Sequence, residues 1–143
     1  MKILGLDLGS KTIGVAISDD LMLTAQVLTS IQRSTLKKDL DLIGGLVEEY
    51  KVQEIVVGLP INMDGSTGES ARKAELFIAR LREVFPIKII PWDERLSTVA
   101  AERILLEGDL SRKKRRKVID RLSAAIILQG YLDSHSWENG RLL

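Results

Sequence analysis

The stretch KILGLDLGSKTIGVAIS, Lys2 to Ser18, decides the fold. Residues 2–8 read as a strand, Gly9-Ser10-Lys11 as a tight turn, and Thr12 to Ser18 as a second strand with Ile13, Val15 and Ile17 on one face. A hairpin opens the chain. Inside its first strand, within the apolar run Ile3 to Leu8, sits Asp7. A carboxylate in a core strand is costly unless something compensates for its burial, and a divalent metal is one such partner.

Working outward, Asp19-Asp20 breaks the second strand, and Leu23 to Ile31 reads as a third, antiparallel one. Ser34 or Thr35 can cap a helix bearing Leu36, Leu40, Ile43, Val47 and Tyr50, which Gly44-Gly45 weakens locally. Glu54 to Leu59 is a nearly continuous apolar run, as in a strand covered on both faces. A polar loop, Pro60 to Gly68, leads to a helix with Ala74, Phe77, Ile78, Leu81 and Val84 inward. Pro86 punctuates it, and Ile87 to Trp92 is another buried strand. Ser97 or Thr98 caps a helix through Val99, Ile104 and Leu105 that stops near Gly108. A last helix is expected from about Lys117 to Leu132, burying Leu122, Ala125, Ile126 and Gln129 or their neighbours, with residues 134–143 fraying. The fold class is α/β: one mixed central sheet, three antiparallel strands then two parallel ones, with helices on both faces.

At 143 residues, with no repeat or linker, the chain reads as one domain able to bury a core without staples. It has no cysteine, which excludes disulfides, thiolate-held zinc and a thiol nucleophile. No apolar run reaches the length of a membrane span, and the N-terminus enters strand alternation at once, so the expectation is a cytoplasmic protein without a membrane partner. Net charge is only +1, but six consecutive basic residues lie at Arg112 to Lys117. The other 15 basic residues face 20 acidic ones, so positive charge is concentrated in one place, as contact with nucleic acid requires.

Two further acids stand where they could complete a site with Asp7: Glu94, after the last strand, and Asp120, near the start of the last helix. Hard divalent cations such as magnesium prefer carboxylate oxygens from separate elements. A pair of such ions can activate water, hold a scissile phosphate and stabilise the leaving oxygen. Each acid also has a plain alternative. Asp7 could cap a turn, Glu94 could pair with Arg95 or Arg103 on the surface, and Asp120 could serve the helix dipole. Their combination favours the site.

Candidate substrate contacts are Lys11 in the glycine turn, Asn62 and Ser66 in the polar loop, and the basic run Arg112, Lys113, Lys114, Arg115, Arg116 and Lys117. A common β-hairpin, a turn tipped by Asp64-Gly65 and a solvated charged loop with little structure of its own are the rival readings. His135 and Trp137 receive no role, and Trp92 is expected to pack beside the last strand, with stacking on a base as the alternative.

Four segments in this order, DLGSKTIGVA at 7–16, GLPINMDGS at 58–66, DERLST at 93–98 and KVIDRLSAAIIL at 117–128, resemble the YqgF-type family over nearly the whole length. That family is described both as Holliday-junction resolvases and as bacterial nucleases that process precursor ribosomal RNA. The resemblance implies an RNase H-like fold and a magnesium- or manganese-dependent nuclease holding two ions. Its metal ligands and catalytic residues fall on Asp7, Glu94 and Asp120, and Lys11, Arg95 and Lys117 lie in the matching motifs as phosphate contacts. Structured RNA, at the 5′ end of the pre-16S rRNA, is the favoured partner and branched DNA the alternative; a homodimer is compatible with either. Two other classes compete. The DLGSKTIGVA turn also looks like the first phosphate motif of actin-like ATPases and sugar kinases, which enclose nucleotide between two domains of this type. A non-catalytic nucleic-acid-binding module would use the basic run alone.

Overall fold

The computed structural model describes residues 1–62, 64–95 and 112–138, with side chains from 122 to 135 in the last segment. The expected helix from Ser97 or Thr98 through Leu105 therefore lies outside the described residues. Strands β1 (Lys2–Leu8), β2 (Thr12–Ser18) and β3 (Ala25–Gln32) form an antiparallel meander, followed by helix α1 (Leu36–Tyr50), β4 (Val52–Leu59), helix α2 (Glu69–Val84), β5 (Lys88–Asp93) and a final helix α3 (Arg112–Glu138). The sheet order is β3-β2-β1-β4-β5, with β4 and β5 parallel to β1. This is the mixed sheet expected from the alternation of residues.

Strand periodicity divides the molecule into two cores. Leu4, Leu6, Ile13, Val15, Ile55 and Val57 pack with Ile43 of α1 and Phe77 and Leu81 of α2. The opposite face, with Ile3, Ala16 and Val56, carries Ala124, Ile127, Leu128 and Leu132 of α3. Helix α3 approaches closely because the sheet is bare beneath it: a Cβ on Gly5 would lie 2.8 Å from Leu128 Cβ and 3.1 Å from the Ala124 carbonyl.

Several local expectations are corrected. The third strand starts at Ala25 rather than Leu23, because Asp19 Oδ1 accepts the Leu23 and Thr24 amides at 2.7 and 3.1 Å and closes a turn there. Leu36 is 43% exposed, and Asp39 is buried in its place on α1. Helix α1 continues through Gly44-Gly45, where the bare Gly44 accommodates the Phe85 ring. Phe85 takes the inward position expected of Val84, which is 51% exposed. Helix α3 begins at Arg112 instead of about Lys117, so the basic run belongs to its first turns and not to an unstructured loop. Lysine and arginine are good helix formers, and the packed second half of α3 sustains the extension. Its buried face comprises Ala124, Ala125, Ile127, Leu128, Tyr131 and Leu132, while Leu122, Ile126 and Gln129 are half-buried. Gln129 instead bonds the start of β3, accepting the Ala25 amide and donating to the Leu23 carbonyl. Residues 134–138, expected to fray, are helical. Among the described residues no helix is long and apolar enough to cross a membrane.

Candidate active site

Asp7 is the penultimate residue of β1 and shares the α3 face with Ile3 and Gly5. Its neighbour across the antiparallel pair is Gly14, whose bare backbone leaves the Asp7 side chain open on that side. Two strands away, β5 ends at Asp93 and the chain turns into helical conformation at Glu94. Glu94 folds back over the sheet onto Gly58, which is paired with Trp92. A Cβ on Gly58 would overlap Glu94 Oε1 and lie 2.6 Å from Ile127 Cδ1. The glycine thus clears the space in which the carboxylate sits.

The Asp7 and Glu94 side chains are hydrogen-bonded to each other. Burial first, then the hydrogen bond and charge of Asp7, and then the charge of Asp93 push the Glu94 carboxyl up to about 8. Two half-buried carboxylates in contact do not readily ionise together, so the pair holds a proton where a solvated pair would hold none. Anionic oxygens from separate elements, destabilised by each other, form a donor set suited to a hard divalent cation. Among the described residues no group of three or more metal-ligating side chains occurs. Asp120 falls well inside α3 rather than in its first turn, so the helix-dipole reading loses its basis; its side chain lies outside the described residues.

Arg95 pairs with Asp93, not with Glu94. Its Nη2 and Nε donate to Asp93 Oδ2 at 2.7 and 3.0 Å, and its backbone amide donates to Asp93 Oδ1 at 3.0 Å. The Arg95 hydrogen bond is the main cause holding the Asp93 carboxyl below its usual value. Arg95 Nη1 also reaches the Asn62 carbonyl at 3.5 Å, joining the end of β5 to the loop after β4.

That loop is tied largely to itself. The Asn62 amide group donates to Ser66 Oγ at 3.1 Å, and Asp64 Oδ1 accepts the Ser66 amide and hydroxyl at 2.9 and 2.6 Å. Gly65 turns the tip at φ 87°, a left-handed conformation that favours glycine. Asn62 and Ser66 therefore build the turn, and Asn62 meets the site through its backbone carbonyl and Arg95.

Lys11 is exposed in the hairpin turn at the same end of the sheet. Residues Arg112 to Lys117 occupy the first turns of α3, and their side chains lie outside the described residues. Trp92 packs edge-on against Tyr131, with ring centroids 5.8 Å apart. This places its ring against the α3 core beside the last strand, as expected. Sequence reasoning missed Arg33 and Asp39. Arg33 Nη1 donates to the Gly9 carbonyl at 2.8 Å, and Asp39 is buried beside it. The available signal was the phase of Asp39, four residues before the buried Ile43.

Similarity to known proteins agrees with this architecture. The chain matches the family model RuvX, described as Holliday junction resolvase, over residues 1–134. A protein of Geobacillus kaustophilus is 56% identical over 136 residues, covering 94% of this chain and 99% of that protein. One of Desulforamulus reducens is 53% identical over 134 residues, covering 94% and 98%. Both carry the provisional name pre-16S rRNA nuclease. Among solved structures, Thermus thermophilus RuvC in complex with a Holliday junction substrate superposes with a TM-score of 0.62 at 14% identity, covering 94% of this chain and 95% of that one, a likeness of fold. An RNase H-like sheet, two contacting carboxylates at its carboxyl end and a family match over almost the full length converge: this chain belongs to the RuvX family of nucleases.

Proposed function

We propose that this protein hydrolyses phosphodiester bonds in structured nucleic acid at a divalent-metal site built on Asp7, Glu94 and Asp120. The observation that carries the reading is the hydrogen-bonded Asp7–Glu94 pair, set over a glycine at the carboxyl end of parallel strands, where sites in open α/β sheets form. These oxygens fit magnesium or manganese, and two such ions when bound supply the Lewis-acid charge that activates water and stabilises the departing oxygen. Asp7 and Glu94 concentrate negative charge in a half-buried pocket walled by Ile127, and Asp120 supplies the third carboxylate. Lys11 holds the phosphate backbone on the hairpin side. Arg95, braced by Asp93 against the Asn62 loop, does so on the other. The run Arg112 to Lys117, at the positive end of the α3 dipole, extends the cationic track.

The preferred substrate is precursor small-subunit ribosomal RNA, named in relatives that share more than half of these residues, and the family resemblance of the motifs favours its 5′ end. Branched DNA is the second reading, favoured by the description of the matching family. A cleavage panel of precursor rRNA, four-way DNA junctions and linear DNA, with and without manganese, separates them. Metal-dependent cutting of the RNA alone is expected. Cutting confined to junctions overturns the substrate, and no metal-dependent cutting of any of them overturns the activity.

A further inference from the structure

We propose that Arg33 is a positioning residue that holds Lys11 for contact with substrate phosphate, an inference resting on the role given to Lys11 above. Strand β3 ends at Gln32 opposite Thr12, so Arg33 emerges at the end of the sheet that carries Asp7 and the hairpin turn. Its backbone amide donates to the Lys11 carbonyl at 2.9 Å and its Nη1 to the Gly9 carbonyl at 2.8 Å. One residue thus grips the turn on both sides of Ser10.

The other side of the guanidinium explains why it stays there. Arg33 Nε lies 3.9 Å from Asp39 Oδ2, a carboxylate on α1 that is 2% exposed and also accepts the Ser34 amide at 3.1 Å. Phe77 of α2 lies beneath, its ring centroid 6.0 Å from the guanidinium carbon. A buried carboxylate without its cation is strongly unfavourable, so Asp39 holds Arg33 in place. Arg33 in turn directs Nη1 at the glycine turn. Without the guanidinium, the turn keeps the Gly9 amide to Thr12 carbonyl bond, 2.8 Å long, and the Arg33 amide to Lys11 carbonyl bond, 2.9 Å long, while the Gly9 carbonyl loses its side-chain donor at a residue free to adopt other conformations. Among the described residues no carboxylate pairs with Lys11, so its ammonium is available to a phosphate.

The test is a double-mutant cycle read as binding of a synthetic four-way DNA junction and of a precursor rRNA fragment across a salt series, without catalytic metal. Lys11→Ala should weaken binding roughly five-fold, the size of one exposed ion pair, and lower the salt slope by about 0.9. Arg33→Ala should weaken it comparably, the double variant should be no weaker than Arg33→Ala alone, and Arg33→Lys should recover part of the loss. Asp39→Asn preserves the side-chain shape and the acceptor for Ser34, so it should give a smaller, equally non-additive loss even where Arg33→Ala folds poorly. Additive losses would make Arg33 a phosphate contact in its own right and overturn the inference, as would Arg33→Ala and Asp39→Asn both binding like the parent protein. Should Lys11→Ala leave binding unchanged, the role of Lys11 and the inference fall together. Additivity beside a clear Lys11 effect removes the inference alone.

Discussion

The Glu94 side chain occupies the space that a side chain on Gly58 would need, with Glu94 Cγ 3.0 Å from the position of such a Cβ. Any larger residue at 58 must displace both this carboxylate and the Ile127 side chain. Gly58→Ala is therefore expected to lower kcat of metal-dependent cleavage by about 100-fold, the cost of a misplaced catalytic group. It should also destabilise the fold by about 1–3 kcal/mol through overpacking. Single-turnover cleavage and thermal melting measure the two effects separately.

The Asp7–Glu94 contact makes the metal-free protein sensitive to pH. The Glu94 carboxyl binds its proton more tightly folded, at about 8, than at its ordinary value of 4.5. Its contribution to stability is thus fully present below about 4.5 and is lost as pH rises through about 8. Melting temperature of the metal-free protein should fall across that window, and Glu94→Gln should flatten the fall. Manganese should stabilise the parent protein increasingly as pH rises, because the cation competes with the shared proton.

Asp7→Asn removes one charge of the pair while leaving the β1 ladder intact. Metal-dependent cleavage should disappear with the fold retained, and manganese affinity measured by calorimetry should fall at least about ten-fold. Cleavage at the parent rate by this variant would show that Asp7 is not a ligand.

Beneath α3, Gly5 sets the distance between helix and sheet. Gly5→Ala drives a methyl group to 2.8 Å from Leu128 Cβ, so a destabilisation of about 1–3 kcal/mol is expected in denaturant titration. The equivalent Gly14→Ala places its Cβ 3.6 Å from Ala124 Cβ, an ordinary van der Waals distance, and should cost less.

Replacing the six residues Arg112 to Lys117 by glutamine should reduce the salt dependence of nucleic-acid binding. The logarithmic slope should drop by about 0.9 for each duplex phosphate that the protein no longer neutralises. Fluorescence anisotropy over a range of potassium chloride concentrations reads this directly. An unchanged slope would place the run off the binding surface.

The sheet was legible because strand alternation and apolar runs encode burial locally: Ile13, Val15 and Ile17 announce one face of β2, and the run through Val56 announces a covered strand. Helix boundaries were less legible, since they depend on partners distant in the chain. Phe85 replaces Val84 only because Gly44 of another helix receives its ring. The basic run is helical because residues from Ala124 onward pack on glycines of β1 and β2.

The acidity of Asp7, Glu94 and Asp120 and the concentration of positive charge at 112–117 were properties of the sequence, fixed by residue chemistry and order. Their pairing was not. Contact between Asp7 and Glu94, the turning of Arg95 toward Asp93, and the burial of Asp39 behind Arg33 were decided by the tertiary structure. Each depends on which strands become neighbours, and strand order brings together residues that no local periodicity relates.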